Sequence, residues 1–457
     1  MFRDAVLLGS AKAVSHAWHA RATWAPASLD VRGAVLVGPG EAPVALINRA
    51  PIWDALDLAA VRGSSLILID PPADGAAKRA VLTRAAEAGL RCLVLVGEKL
   101  RRLRLDDLIG RSLGDVDFAR IRNVVAGKRV LVTGGGGSIG GELARRIATL
   151  SPARLTLLDS SEHNLYRIGL ELSDAVQVLA DIRDANSVGR WFAKERPEVV
   201  FHAAALKQVP MVEAFASEGV LTNVVGLQNV AEAARRGGAD MIFVSTDKAV
   251  DPSGLMGASK RLGEIYCQAL DRAGPERAVS VRLGNVLGSA GSVTPIFEAQ
   301  LAEGGPLTVT DPDVTRFFLT IPQAADALLQ AAAVGLIAEP RGSALVIEMG
   351  EALPVVELAR EVIRLEGLRP DIDVPITFTG LRPGEKLHEA LVASDEWREA
   401  DPAPGVIAVA SSARALTDVL ADMETLAALA RDGANEKIAA ALFRAVDADA
   451  EVRARSL

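Results

Sequence analysis

The stretch Arg129-Val130-Leu131-Val132-Thr133-Gly134-Gly135-Gly136-Gly137-Ser138-Ile139-Gly140 constrains this 457-residue chain more than any other. A short apolar run leads into glycines at 134, 137 and 140, and a helical pattern from Glu142 to Leu150 follows. In a strand–turn–helix unit the first glycine permits the tight turn, and the missing side chains let backbone approach a pyrophosphate. The helix N-terminus, here with Ser138 and Ile139, adds unpaired N–H groups and a favourable dipole. Glycine-rich turns also occur for purely steric reasons, so the turn alone marks a phosphate site without identifying its ligand.

The following residues narrow the ligand. Asp159 ends the next apolar run, 19 residues after Gly140, where a carboxylate accepts hydrogen bonds from both adenosine ribose hydroxyls. No Arg or Lys stands in Asp159-Ser160-Ser161-Glu162, so a 2′-phosphate would meet repulsion. The expected cofactor is NAD rather than NADP. Asp181 and Ile182, after the third strand, are placed to contact the adenine. Ala203 and Ala204, in His202-Ala203-Ala204-Ala205, supply small residues where a strand end passes the cofactor.

Apolar runs alternating with helical patterns predict parallel α/β units. The expected fold class is α/β: a Rossmann-type doubly wound parallel sheet with a smaller C-terminal substrate lobe, preceded by a second small α/β domain. The N-terminal domain, residues 1–122, has strands expected at Ala5 to Leu8, Gly33 to Val37, Ser65 to Ile69 and Cys92 to Val96, a helix from Gly75 to Gly89, and a charged connector from Glu98 to Arg122. Its Gly9-Ser10-Ala11 is a degenerate dinucleotide turn, and close packing of a helix on its strand is the favoured reading. The cofactor domain is expected at 123–287, with strands near Arg154 to Leu158, Val176 to Leu179, Val199 to His202, Met241 to Ser245 and Ser280 to Leu283, and a helix from Asn223 to Arg236. Pro295, Pro306, Pro312 and Pro322 punctuate the substrate lobe, 288–400, and an Ala-rich helical tail occupies 401–457.

A formal charge of −8 argues against a nucleic-acid surface, which needs a basic patch. Two cysteines far apart give no disulfide framework, and no His or Cys cluster suggests a metal. No apolar run reaches the roughly 18 residues of a membrane span, and Met1-Phe2-Arg3-Asp4 opens a poor secretory signal. A cytoplasmic location is expected.

The chemistry-bearing stretch is Ser245-Thr246-Asp247-Lys248, followed by Met256-Gly257-Ala258-Ser259-Lys260. With GKRVLVTGGGGSIGGEL, FHAAALKQVPMVEA, TNVVGLQNV, STDKAVDPSGLMGASK, RLGNVLGSAGSVTPIF, TDPDVTRFFLT and GLRPGEKLHEAL, the chain resembles the extended short-chain dehydrogenase/reductases. Within them it is similar to the UDP-N-acetylglucosamine 4,6-dehydratases of polysaccharide biosynthesis, and to their longer membrane-associated members without the transmembrane helices. These motifs span Gly127 to about Leu391.

That resemblance implies hydride removal from sugar C4, loss of water across C5 and C6, and hydride return to C6, with no net redox change. Elimination needs a base for C5 and an acid for the C6 hydroxyl side by side. By similarity, Lys248 is the base, Asp247 the acid, and Thr246 positions the sugar; the bland alternative is a solvated strand-end charge pair. Lys260 is expected on the nicotinamide ribose. Met256 stands where the superfamily usually has Tyr, and a thioether is no base. The C4 base is therefore left between Asp247 and a water held by Thr246. Substrate contacts are expected from Lys207, Asn223, Asn285, Ser292 and Glu385, with Arg316 and Arg382 as planar forks for the diphosphate. The implied partners are a UDP-sugar and a second copy of the chain, as a homodimer through helices of the central domain; retention at C5 is expected. An NAD-dependent epimerase and a non-catalytic nucleotide-binding scaffold are the competing readings.

Overall fold

The computed structural model describes residues 4–26, 28–36, 52–54, 65–69, 75–109 and 117–447. The chain falls into two compact units. One combines Met1–Arg111 with Val293–Val314 and Leu353–Gly380; the other combines Ser112–Ser292 with Thr315–Ala352 and Leu381–Leu457.

The first unit is built on β1 (Asp4–Gly9), β2 (Asp30–Leu36), β3 (Ile52–Asp54), β4 (Ser65–Ile69), β5 (Arg91–Val96) and β6 (Lys99–Arg102), in the order β3-β2-β1-β4-β5-β6. All pairings are parallel except β5 with β6. Every residue of β4 is buried, as an apolar run covered on both faces requires. Val37, the expected end of the second strand, lies outside the described residues. At the Gly9 turn a Cβ would run into the Ile69 carbonyl, and the Ser10 hydroxyl caps the Ala11–His19 helix by accepting the Ala13 N–H at 3.3 Å. Close packing and a helix cap therefore account for this turn.

The expected connector from Glu98 to Arg122 contains β6 and a short helix, Leu105–Ile109, latched by a forked Arg101–Asp107 pair with both bonds at 2.7 Å. Its charges hid elements too short to show a period. The Val355–Leu365 helix packs on the Gly75–Glu87 helix within the same unit.

The second unit carries a nine-stranded sheet. Its strands are β7 (Arg129–Thr133), β8 (Arg154–Asp159), β9 (Val176–Leu179), β10 (Val199–His202), β11 (Asp240–Thr246), β12 (Ala278–Leu283), β13 (Ala344–Ile347), β14 (Trp397–Ala403) and β15 (Val406–Ala410). Their order is β14-β15-β13-β12-β11-β10-β7-β8-β9. The strands from β9 to β13 run parallel; β15 and β14 close the edge antiparallel. The winding reverses between β7 and β10, the place where an open α/β sheet leaves a crevice at its strand ends.

Alternate residues feed two cores, as strand geometry dictates. Leu131, Val200, Met241 and Phe243 join one cluster, whereas Val130, Val132, Val199, Phe201, Ile242 and Val244 join the other. On the first face lie α1 (Gly226–Arg236) and α2 (Leu255–Ala273), together with the tail helices α3 (Leu416–Arg431) and α4 (Asn435–Val446). Met423, Leu426, Ile438 and Leu442 of the tail are as buried as the sheet residues beside them. The chain is thus divided at other places than expected. Segments 293–314 and 353–380 belong to the first unit, and the tail begins with a strand of the central sheet. Among the described residues no helix is long and apolar enough to cross a membrane.

Candidate active site

The glycine turn sits at the end of β7, facing the end of β10. Gly134 has φ of +66°, and a Cβ there would stand 2.8 Å from the Ala204 nitrogen and 2.9 Å from its Cα. At Gly140 a Cβ would strike the Gly134 carbonyl oxygen. Gly137 begins the Ser138–Thr149 helix with no side-chain cap, so the first N–H groups remain available to an anion. Ser138 accepts the Ala290 N–H at 3.1 Å, which fastens the 288–292 loop to this turn, and Ile139 packs on the core beneath.

Asp159, at the end of β8, is held beside the turn by two backbone donors: Gly136 N–H at 3.0 Å and Ser161 N–H at 2.8 Å. These bonds aim its carboxylate where a ribose next to the pyrophosphate would lie. Asp181 is engaged by Arg183 through side chain and backbone, at 2.8 and 2.9 Å. The Ile182 side chain is buried against Gly226, so it presents no free apolar surface.

At the end of β10 the Ala203 N–H donates to the Thr133 carbonyl at 3.1 Å. Thr133 Oγ1 and His202 Nδ1 share a 2.7 Å hydrogen bond. Burial, with Lys260's charge adding to it, pushes His202 down to about 3, so the imidazole is neutral. Sequence reasoning saw only the small residues here and missed this buried pair.

The reaction motif caps β11. Thr246 starts a single 3₁₀ turn, Asp247–Ala249, and donates its hydroxyl to Asp247 Oδ1 at 2.9 Å. Lys248 Nζ donates to the same oxygen at 2.9 Å and to Asn285 Oδ1 at 2.7 Å. Asp247 is wholly buried, and its Oδ2 has no hydrogen-bond partner among the described residues. Asn285 therefore meets the Asp247–Lys248 pair directly. Glu389 approaches from the other side, with Oε1 4.0 Å from Lys248 Nζ. It lies in the quoted GLRPGEKLHEAL motif, three residues beyond Lys386, but nothing local marks it as a neighbour of Lys248.

Met256 is 3% exposed in the first turn of α2 and belongs to the apolar cluster. Four residues on, Lys260 donates to the Val244 carbonyl at 2.8 Å and stands 4.4 Å from the Phe243 ring centre. Burial pulls it down to about 8. Glu213, also missed by sequence reasoning, caps α2 by accepting the Leu255 N–H at 2.5 Å.

The expected sugar-nucleotide contacts divide by what already holds them. Asn223 lies in a π turn, Leu221–Val225, the kind of local widening often found at functional sites. Its amide is already engaged, accepting from Leu206 N–H at 2.8 Å and donating to Leu206 O and Ser259 Oγ, both at 3.0 Å. It clamps the loop after β10 onto α2. Arg316 is buried, with its fork on the carbonyls of Thr315, Leu387 and Lys386 at 2.7 to 3.1 Å. Lys207 donates to Ser289 Oγ at 3.1 Å, and Ser292 Oγ is buried without a partner. The Arg382 guanidinium is exposed and unpaired among the described residues; Glu385 accepts the Arg382 N–H at 3.2 Å, closing that turn. No metal-holding cluster occurs among the described residues.

Residues 130–411 match the family described as polysaccharide biosynthesis protein. Over 316 residues the chain is 41% identical to the capsular polysaccharide biosynthesis protein CapD of Staphylococcus aureus, covering 66% of this chain and 52% of that protein. It thus spans about half the length of that relative. It is also 34% identical over 299 residues to a UDP-glucose 4-epimerase of Rickettsia typhi, covering 63% of this chain and 84% of that one. Among solved structures, Pen from Bacillus thuringiensis superposes with a TM-score of 0.58 at 31% identity, over 64% of this chain and 90% of Pen. A double mutant of DesIV, a dTDP-glucose 4,6-dehydratase from Streptomyces venezuelae with NAD and DAU bound, gives 0.51 at 25% identity, over 57% and 87%.

Proposed function

Because this chain belongs to the polysaccharide biosynthesis protein family, a branch of the extended short-chain dehydrogenase/reductases, we propose that it dehydrates a UDP-N-acetylhexosamine. The substrate in this reading is UDP-N-acetylglucosamine, and the product is the UDP-4-keto-6-deoxy sugar with retention at C5. The carrying observation is the Asp247–Lys248 pair, closed at 2.9 Å on one carboxylate oxygen while the other has no partner. An epimerase works at C4 alone and has no use for an acid and a base at C6 and C5.

The cradle fits NAD. Gly134 and Gly140 leave no room for side chains, the helix after Gly137 presents free N–H groups, and Asp159 is aimed beside them. Bound NAD would take the C4 hydride and return it at C6. With Met256 in the apolar core, the C4 hydroxyl proton passes to Asp247, whose unpartnered Oδ2 is the free acceptor. Asp247 then gives this proton to the departing C6 hydroxyl, while Lys248 removes the C5 proton and later returns it to the same face. Lys260 serves the nicotinamide ribose, and its fall to about 8 reflects how fully its surroundings exclude water. Arg382, the unpaired fork, is the stronger diphosphate ligand of the two arginines; Arg316 shapes the wall.

Incubation with UDP-N-acetylglucosamine and NAD is expected to lower the sugar nucleotide's mass by one water without added reductant. An unchanged mass with NAD bound would overturn the reading. A changed sugar configuration at constant mass would favour the epimerase reading, which the Rickettsia relative keeps in view.

A further inference from the structure

We infer that Glu389 is the proton partner of Lys248, the buried carboxyl that takes the ammonium proton and so delivers the neutral amine that C5 deprotonation requires. The inference rests on the dehydratase reading and adds to it a group that the reading leaves out.

The need follows from counting protons. Lys248 can remove a proton from C5 only as an amine. Asp247 must begin as a carboxylate to take the C4 hydroxyl proton and must later give that proton to C6. It cannot at the same time store the proton shed by Lys248. Asn285 accepts from Lys248 through an amide oxygen, which is far too weak a base to keep a proton. A third basic atom within reach would keep that proton inside the site near neutrality, and Glu389 is the further carboxylate whose ion-pair geometry with Lys248 the fold supplies.

Glu389 is built for this. Its side chain is 2% exposed, with Oε1 4.0 Å from Lys248 Nζ and 3.8 Å from Arg316 Nε. Its Oε2 is buried without a hydrogen-bond partner among the described residues, 3.8 Å from Lys386 Nζ. The cations around it hold back. The terminal nitrogens of Arg316 serve the carbonyls of Thr315, Leu387 and Lys386, and Lys386 donates to the Val250 carbonyl at 2.6 Å. A carboxylate used only for structure would be expected to close hydrogen bonds with these forks; this one stands just outside hydrogen-bond distance of all three. Four charged groups face it: Lys248 and Asp247 from the turn after β11, Arg316 from the short strand Thr315–Arg316, and Lys386 from its own segment. Burial pushes its carboxyl up from the usual range, with Lys248 opposing, Asp247 adding, and Arg316 and Lys386 opposing again.

The transfer itself is balanced. One N–H bond of Lys248 breaks and one O–H bond forms on Glu389 Oε1, so a +1/−1 pair becomes a neutral pair with no redox change. Closing from 4.0 Å to hydrogen-bond distance takes about 1 Å, within reach of a rotation of the lysine stem. In this role Glu389 acts through Lys248, as a positioning and proton-holding residue.

Glu389→Gln keeps the shape and removes the proton acceptor. With NAD-loaded protein and UDP-N-acetylglucosamine, kcat near neutrality is expected to fall on the order of 10²-fold with KM nearly unchanged. Activity should return as pH rises, because solvent then takes the Lys248 proton, so the acid limb of the kcat profile moves upward by about a unit or more. Glu389→Asp, which keeps an acid, should hold that limb in place at reduced kcat. A superimposable profile, a limb displaced downward, or a loss equal at every pH each overturns the inference. Acetylation of Lys248 by acetic anhydride, followed by peptide mass against pH, reads the same amine without turnover. It should proceed at lower pH in Glu389→Gln, whose Lys248 has lost the anion that holds its proton in the resting pair, and equal curves count against the pairing. If the parent protein itself removes no water from the sugar, the dehydratase reading fails, whereas unequal acetylation curves would still show the Glu389–Lys248 pairing.

Discussion

At the residue scale, the Lys248 ammonium closes on Asp247 Oδ1 at 2.9 Å, and Lys248→Met should lower kcat by about 10² to 10⁴-fold, measured beside an NAD titration that remains unchanged. The geometry of Asp159 follows from a fixed strand–turn–helix–strand unit, and the carboxylate does stand beside the turn on two N–H donors. Asp247 and Lys248 are adjacent in sequence, so their pairing was also legible. Glu389 was not, because only the fold brings it to Lys248; nor could spacing reveal that Arg316 would turn its fork onto carbonyls. A second prediction concerns the buried imidazole at the end of β10. His202 is held at about 3 against an ordinary 6.5. Above 6.5 both folded and unfolded forms are neutral there, and the native pairing with Thr133 is fully available. As pH falls the unfolded chain takes up a proton that the folded one refuses, so stability drops progressively toward pH 3. His202→Asn should therefore cost stability near neutrality, and its deficit in urea midpoint should shrink from about pH 7 to about pH 4. Parallel curves would show that His202 does not titrate in this way.

Among elements, long periodic segments were readable and short or charged ones were not. The inner strands β7, β10 and β12 fall close to their expected places because they are buried on both faces and show as apolar runs. The β6 hairpin and the Leu105–Ile109 helix lie inside the expected connector, where Arg101 and Asp107 satisfy each other and leave a charge-rich surface with no period to read. The helix expected from Asn223 begins inside a π turn, Leu221–Val225, where the Asn223 amide is held by Leu206 and Ser259. Gly134→Ala tests the turn. A Cβ at positive φ, within 2.9 Å of Ala204 backbone, should cost about 1 to 3 kcal/mol in strain. Titration with NAD should show weakened binding, and thermal melting a lower midpoint. Leu442→Ala in α4 should destabilise by about 2 to 5 kcal/mol, read from urea unfolding, because that side chain is 1% exposed in the shared core. A surface-like cost of a few tenths would mean the tail merely rests on the fold.

For the molecule as a whole, a doubly wound sheet and a smaller α/β domain before it were legible, but the path of the chain between them was not. Prolines after residue 288 announced a change of character without saying which unit each piece would join. In the structure Val293–Val314 and Leu353–Gly380 belong with the N-terminal sheet, and Glu361 feels Arg79 across the Val355–Leu365 and Gly75–Glu87 helices. Removing residues 1–111 should therefore strip these segments of their partners, and light scattering with thermal melting should report aggregation and a lower midpoint. A truncated chain that melts like the parent would contradict the division. The tail carries a further consequence, one of timing. α3 and α4 supply Met423, Leu426, Ile438 and Leu442 to the same apolar mass as α1, α2 and the sheet. During synthesis, which proceeds from the N-terminus, the side chains of α2 that these two helices cover stay bare until residue 446 has left the ribosome. Until then the growing chain carries the kind of exposed apolar surface that invites aggregation and that chaperones shield.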